Sequence, residues 1–590
     1  MYPSPFELAP IAEHIWQEKY RYVRRDGEVV DGTLDETWRR VARAAAHAER
    51  GTAHERKQWA GAFEEAMQTL AFLPGGRILA GAGTGRRVTL FNCFVLGRIE
   101  DDLGAIFESV REAALTMQQG GGIGQDFSTL RPQGAALQAT GATASGPVSF
   151  MEVWDSMCRT VMSAGARRGA MMATLRCDHP DIEQFITAKQ TPGRLTNFNL
   201  SVLVTDAFMS AVERDAPWDL TFDGHVFRTV PARALWQRII ENTYTHAEPG
   251  VIFIDRVNAT NNLGYCESIY ATNPCGEQPL PPYGACLLGA MNLSQLIERP
   301  FSPNAELNLE RLEAMVRVAV RFLDNIIDVS GYPLAAQKSE AMTKRRLGLG
   351  ITGLADALIM CGVRYGSDEA LALTDLWLST LKRAAYGASS DLAREKGSFP
   401  AFDRDAMLAA PNLMSLPADL RDKISRQGLR NGCLTTIAPT GTISLLAGNV
   451  SSGIEPVFDI RFKRRVLGAD NAASTMTVED FAVRLHRALL GRELRDSVVE
   501  TAQTLAPAAH LAMQTVAQPH IDSAISKTIN CPVDMSFDDF RNVYTDAYRS
   551  GLKGCTTYRP NPITGAVLST EHEPDDCGDA CELGPVAVPI

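Results

Sequence analysis

Long apolar runs are missing from this 590-residue sequence. No stretch of about 18 apolar residues occurs, so no transmembrane helix is expected. The opening MYPSPFELAP has neither a basic region nor an apolar core and does not read as a signal peptide. Basic charge is in deficit, with 58 Lys and Arg against 69 Asp and Glu, a formal net charge of −11. That balance excludes a broadly basic nucleic-acid binder but leaves room for a local anion site. Internal repeats and low-complexity blocks are absent. Cysteine is sparse: twelve are too few for a disulfide scaffold, and the expected cytoplasmic location would keep them reduced. Most read as small buried hydrophobes.

What is present is a globular composition, 45% hydrophobic and 22% charged, sufficient for a large core. Helical patterns run over Glu36–Arg50 and Ala53–Phe72, within a helical region spanning 1–85. Leu90–Leu96 has β character, a helix follows near Ala105–Gln119, and the glycine cluster Gly120–Gly124 reads as loop. Another helix is expected around Val148–Ser163. Strands at Asn199–Val204, Val251–Ile254 and Cys433–Ile437 alternate with helices at Leu309–Ser330 and Asp368–Lys396. Such alternation predicts an α/β fold with helices outside a largely parallel sheet. Asp223–Arg228 reads as a hairpin turn. Beyond Arg559 the pattern gives way to a Pro-, Gly- and acid-rich tail, expected to be mobile.

The segment Asn273-Pro274-Cys275-Gly276-Glu277 gathers an amide, a thiol and a carboxylate. Pro274 disfavours helix at Asn273 and Gly276 permits a tight turn. If the segment is extended, residues 273, 275 and 277 project to one side. These groups suit hydrogen abstraction by sulfur beside a carboxylate base, and a turn around a buried Cys accounts for them equally well. Two further cysteines shift the balance. Cys286 lies eleven residues downstream in Cys286-Leu287-Leu288-Gly289-Ala290-Met291-Asn292-Leu293, and Cys93 lies far upstream in Asn92-Cys93-Phe94-Val95-Leu96.

In order and spacing these motifs resemble the catalytic subunit of ribonucleotide reductases. The resemblance continues through Gly120–Gly124, Ser145-Gly146-Pro147, Arg167–Met172, Ala438–Ser444 and Ser451–Pro456, covering roughly residues 70–560. It implies a ten-stranded α/β barrel, two antiparallel halves of five parallel strands around a central finger loop, over residues 86–560. By similarity, Cys275 is the thiyl radical site that abstracts the ribose 3′-hydrogen. Glu277 is the base on the 3′-hydroxyl, and Asn273 hydrogen-bonds the substrate hydroxyls. Cys93 and Cys286 are the dithiol that becomes a disulfide.

Cys577 and Cys581 form a C-x3-C in the tail 561–590, suited to exchange with a buried disulfide. Half of a zinc site is the competing reading, with His572 as the one further ligand nearby. Pro439, Thr440, Gly441, Thr442, Ile443 and Ser444 read as a helix start whose N–H groups and hydroxyls suit an anion. A capped turn explains these residues alone as well, while the family uses them for substrate phosphates. Arg167 and Arg168 would otherwise be a solvated basic loop. They resemble the loop that reads a dNTP effector, with Asp101 as a candidate ribose ligand. Pro74-Gly75-Gly76-Arg77 departs from the Ser/Thr-Pro pattern of many relatives.

The radical source is discriminated near the end of the barrel. Oxygen-dependent members pass the radical from a partner subunit through two adjacent tyrosines. Here Thr556 and Thr557 occupy that stretch, in Gly554-Cys555-Thr556-Thr557-Tyr558-Arg559. A glycyl-radical loop is also missing. The resemblance therefore implies the class II group, with adenosylcobalamin as cofactor. The alternative is a class I-like subunit that needs a separate radical-generating partner; a catalytically dead nucleotide sensor is disfavoured by retention of all five finger and dithiol residues. Cobalamin carrying its own base on cobalt needs no histidine, and no protein metal ligands are expected. The implied activity is reduction of ribonucleotides, as diphosphates, to 2′-deoxyribonucleotides with dNTP control of specificity. The residues themselves suit a diphosphate or a triphosphate equally. Thioredoxin or glutaredoxin as reductant and a homodimeric state follow from the same resemblance, whereas the ATP-binding activity module of some relatives does not fit within the first 85 residues.

Overall fold

A computed structural model describes residues 8–136, 141–161, 169–467, 473–494, 498–560 and 568–570. Among them, no helix is long and apolar enough to cross a membrane. Near the N-terminus, the helices Leu34–Ala46 and Ala53–Gln68 each start in a capping box, Thr33 with Glu36 and Thr52 with Glu55. Their apolar faces pack onto the helix Leu309–Val329, where Phe63 meets Phe322 edge-on at 5.3 Å. Glu49, just past the first helix, is held by Arg321 at 2.8 Å and accepts from Asn325. The N-terminal helices thus share one hydrophobic core with half of the sheet.

That sheet is built from two parallel sets. Cys93–Val95, Gly122–Asp126, Met171–Arg176, Phe198–Val204 and Gly250–Phe253 run parallel in that order. Ala285–Asn292 runs parallel to Leu347–Thr352, and Thr528–Asn530 to Gly554–Tyr558. The two sets meet antiparallel at both seams, Cys286 opposite Cys93 at one and Cys555 opposite Val251 at the other. Parallel bridges Leu349–Thr435 and Ile437–Ile525 connect the remaining neighbours. Hydrogen-bonded neighbours can therefore be followed around a ring of two five-membered halves, as the α/β barrel reading requires. Phe72–Pro74 adds outside it, antiparallel to Ala285–Asn292.

Two expectations need correction. Gly122–Asp126 is a buried strand rather than loop. Its glycines serve close approach: a Cβ on Gly124 would lie 1.8 Å from the Thr272 carbonyl oxygen, and one on Gly122 would lie 3.3 Å from Pro274. Cys433–Ile437 is extended but makes only single bridges. The carboxylate of Asp522 takes the N–H groups of Leu434 and Thr435 at 2.8 and 3.3 Å, in place of ladder partners. Leu568–Thr570 pairs antiparallel with Phe462–Arg464 as third strand on the hairpin Arg461–Leu467/Ala473–Glu479; the rest of the tail expected to be mobile lies outside the described residues. The hairpin expected at Asp223–Arg228 is present, between Pro217–Phe222 and His225–Pro231.

Candidate active site

Between the last parallel strand of the first half and the first of the second, the chain enters the barrel as a short antiparallel pair. Thr272 faces Pro279 and Ala271 faces Leu280. Residues 273–278 form a closed turn rather than the extended run that would align 273, 275 and 277. Gly276 has φ +82° and donates to the Asn273 carbonyl at 3.1 Å. Asn273 also donates its N–H to the Gln278 carbonyl at 3.2 Å, and its Oδ1 accepts from the Gln278 N–H at 2.8 Å. The closure buries Asn273 and Glu277 to 1% exposure and leaves Cys275 half-buried at the tip.

The finger is fastened from both halves of the barrel. Asn199 Nδ2, on the strand Phe198–Val204, donates to the Pro274 carbonyl at 2.8 Å. The Glu277 carbonyl accepts from Thr436 Oγ1 at 2.8 Å and from the Ala524 N–H at 3.0 Å. Room for the loop comes from Gly122 and Gly124 on one wall, while Gly350 lets the Thr436 segment approach its strand, where a Cβ would lie 2.2 Å from the Thr436 carbonyl oxygen.

The turn directs the Asn273 amide and the Glu277 carboxyl to one sulfur. Asn273 Nδ2 donates to Cys93 Sγ at 3.1 Å, and Cys93 Sγ lies 3.7 Å from Glu277 Oε1 as a thiol donor. Burial pushes the Glu277 carboxyl above the usual carboxylate range, with the Asn273 amide opposing. Burial also pushes both Cys93 and Cys286 well above the usual thiol value, so they rest as neutral thiols. Glu277 adds to the shift at Cys93 and Cys433 to that at Cys286. Cys275 lies near enough to contribute to the shift at Cys93.

Cys93 and Cys286 occupy one rung of the antiparallel seam. Residues opposed in this way have Cα atoms about 4.5–5.5 Å apart, inside the window a disulfide spans. Neither is in a disulfide here.

Pro439–Ser444 follows Ala438, which packs with Cys93 and Leu288. Thr440 precedes the helix Gly441–Leu446 with φ +54°. Its hydroxyl does not cap that helix. Instead it meets Thr352 Oγ1 at 3.0 Å and accepts from the Gly453 N–H at 2.9 Å. The first-turn N–H groups therefore receive no side-chain cap from Thr440. Ser444 Oγ meets Ser452 Oγ at 3.1 Å, tying the loop to the Ser451–Pro456 motif.

Asp101 stands apart from the finger, in an ion pair of 2.7 Å with Arg131, just before the helix Leu103–Gln118. Arg167, Arg168, Cys577 and Cys581 lie outside the described residues. Thr557 is buried with its hydroxyl 2.9 Å from Tyr544 Oη. Asn199, Thr436 and Gln278 were not anticipated. Their signal was a polar side chain inside an apolar barrel segment, which requires a buried partner.

Two thiols opposed on one rung can be joined and parted with little backbone movement, so the seam of this α/β barrel suits dithiol–disulfide chemistry. Two family models match: "ribonucleotide reductase, barrel domain" over residues 91–558 and "ribonucleotide reductase, all-alpha domain" over 6–87. The chain belongs to the ribonucleotide reductase family. It is 38% identical to a vitamin B12-dependent ribonucleoside-diphosphate reductase of Mycobacterium tuberculosis, over 96% of this chain and 81% of that protein. A protein of the same name from Thermoplasma acidophilum is 34% identical over 95% of this chain and 72% of its own length. A vitamin B12-dependent ribonucleotide reductase of Streptomyces coelicolor is 28% identical over 83% of this chain and 58% of its own length.

Proposed function

We propose that this protein is a cytoplasmic, adenosylcobalamin-dependent ribonucleoside-diphosphate reductase that makes 2′-deoxyribonucleotides for DNA synthesis. One observation carries the reading: the finger turn joins Asn273 and Glu277 to Cys93, and Cys93 shares a rung with Cys286. The names of the relatives at 38% and 34% identity support the cofactor and the diphosphate substrate.

The residues fit such a cofactor. Cys275 is half-buried at the finger tip, and a Cβ added to the neighbouring Gly276 would meet nothing within 4 Å, so there is free space beside the thiol. Thr556 and Thr557 offer no oxidisable side chain for a radical arriving from a partner. Cys275 and Gly276 would face the cofactor, which when bound supplies a carbon-centred radical by homolysis of its cobalt–carbon bond.

Cys275, as the thiyl, removes the 3′-hydrogen of the ribose. Glu277, whose buried carboxyl exchanges a proton nearer neutrality than an exposed one, takes the 3′-hydroxyl proton. Asn273 orients the hydroxyls. As the 2′-hydroxyl leaves as water, Cys93 and Cys286 give up two electrons and two protons and become a disulfide; Cys275 then returns the abstracted hydrogen to the 3′-carbon and is a thiyl again. The N–H groups and hydroxyls of Pro439–Ser444 hold the phosphates, a local attraction that an acidic protein can provide. Cys577 and Cys581 reduce the Cys93–Cys286 disulfide by exchange, and thioredoxin or glutaredoxin reduces them in turn. The pairing of Leu568–Thr570 with the Arg461–Glu479 hairpin supports a tail that returns to the barrel.

Asp101, Arg167 and Arg168 bind the dNTP effector. Leu103 and Phe107, one helical turn apart and 63% and 51% exposed, give the helix beside Asp101 an apolar face, which supports a homodimer with the effector at its interface. In a Cys577→Ser/Cys581→Ser variant without added reductant, one turnover should convert Cys93 and Cys286 to a disulfide in proportion to the deoxynucleotide formed. Product without that disulfide sinks the assignment.

A further inference from the structure

Gln278 follows the finger carboxyl directly and is completely buried, at 0% exposure. Its backbone is fully used in closing the turn with Asn273. Its side chain is not: Oε1 and Nε2 both lack a hydrogen-bond partner among the described residues. A carboxamide offers two donors and a two-lone-pair acceptor, and burying it unpaired opposes folding. A leucine or methionine would fill the same volume without that penalty, so the packing of the barrel does not account for the residue.

Its surroundings indicate what the amide is for. A Cβ on Gly348 would lie 2.7 Å from Gln278 Nε2, 2.8 Å from Thr436 Cγ2 and 2.9 Å from Leu288 Cδ2. The carboxamide therefore rests on the glycine face of the strand Leu347–Thr352, between Thr436 and Leu288. Leu288 packs in turn with Cys93 and Ala438. Cys93 is the thiol held by the finger, and Ala438 leads into Pro439–Ser444. Two more buried polar atoms without partners, Glu277 Oε2 and Asn92 Oδ1, belong to the residues just before Gln278 and Cys93. Unsatisfied hydrogen-bonding capacity thus recurs at the residues that lead into Gln278 and the reducing thiol.

We infer that Gln278 is a substrate-binding residue whose carboxamide completes its hydrogen bonds on the ribonucleotide, at the ribose end of the span from Cys93 to Ala438. A group that both donates and accepts matches a ribose hydroxyl, which does the same, better than phosphate oxygens, which only accept. This inference rests on the reductase reading above and assigns a further contact within that site. In the free enzyme the amide is a standing cost to stability, retained because nucleotide binding uses it.

The test compares full-length wild type with Gln278→Leu and Gln278→Met, with dNTP effector present and no cobalamin, so that no turnover occurs. Equilibrium binding of labelled CDP is measured under these conditions, and the unfolding midpoint separately on protein without CDP or dNTP. Each variant should raise the Kd for CDP about tenfold, the loss of roughly one hydrogen bond's net contribution, while the nucleotide-free midpoint stays level or rises. Gln278→Met, unbranched and adaptable, guards against a leucine that does not pack. A Kd within twofold of wild type in the folded variants overturns the inference. So does a fall in the nucleotide-free midpoint for both, because the amide would then be satisfied inside the protein. No CDP binding by wild type overturns the reductase reading itself, and the inference with it.

Discussion

Cys93 stands directly opposite Cys286 on an antiparallel rung while its sulfur accepts from Asn273 Nδ2 at 3.1 Å. One thiol thereby belongs to two arrangements at once, the dithiol and the finger. The seam sets the first by register, and the finger turn sets the second by folding Asn273 and Glu277 back on themselves. Cys93→Ser or Cys286→Ser should each abolish multiple turnover while leaving the fold intact, since Ser is smaller and the partner stays a neutral thiol. Steady-state dCDP formation and circular dichroism check this pair of outcomes.

Cys275 sits half-buried at the finger tip. Cys275→Ser should eliminate deoxynucleotide formation yet bind CDP with wild-type affinity. Turnover near the wild-type rate would sink the radical assignment.

Gly124 tests the packing of the finger. Alanine there would bring Cβ to 1.8 Å from the Thr272 carbonyl oxygen, so strand or finger must move. The cost should reach about 1–3 kcal/mol or more, with reduced activity because the finger shifts by a fraction of an ångström. A wild-type midpoint and rate for Gly124→Ala would contradict the close approach.

Burial raises the Glu277 pKa, so the folded state holds this proton more tightly than the unfolded chain. Its stabilising contribution is complete below the ordinary carboxylate range and is lost as pH rises through the raised value. Glu277→Gln should therefore flatten the pH dependence of stability in that window, leave the fold at least as stable at neutral pH, and slow turnover by about 10²–10⁴. Denaturant titrations across pH and steady-state rates test both parts.

Control of specificity and re-reduction depend on separate segments. Arg167→Ala or Arg168→Ala should change which substrate each dNTP favours. Cys577→Ser with Cys581→Ser should lose thioredoxin-driven activity while keeping about one turnover, or activity with a small dithiol. Undiminished thioredoxin-driven activity in the double variant would remove the shuttle.

The parts of the site that were legible in the sequence are those whose chemistry is local. Asn273, Cys275 and Glu277 sit within five residues, and Cys286 and Cys93 stand out as thiols in apolar strand segments. The long helices Leu309–Val329 and Asp368–Lys396 were legible for the same reason, a sustained period over many residues. Gly122–Asp126 was not, because glycine lowers strand propensity and only the finger packed on it, some 150 residues later in the sequence, explains the choice. Cys433–Ile437 looked like a continuous strand because nothing local reveals that Asp522 takes two of its N–H groups. The same long-range logic hid Asn199, Thr436 and Gln278, whose meaning lies in the loop they surround.

The central claim is tested most directly by an anaerobic assay of the purified chain with CDP, adenosylcobalamin, a small dithiol and dNTP effector, and no second protein. The account predicts sustained dCDP formation that stops when the cobalamin is omitted. No product under these conditions, or product that appears only when a metal-containing partner subunit is added, would contradict it.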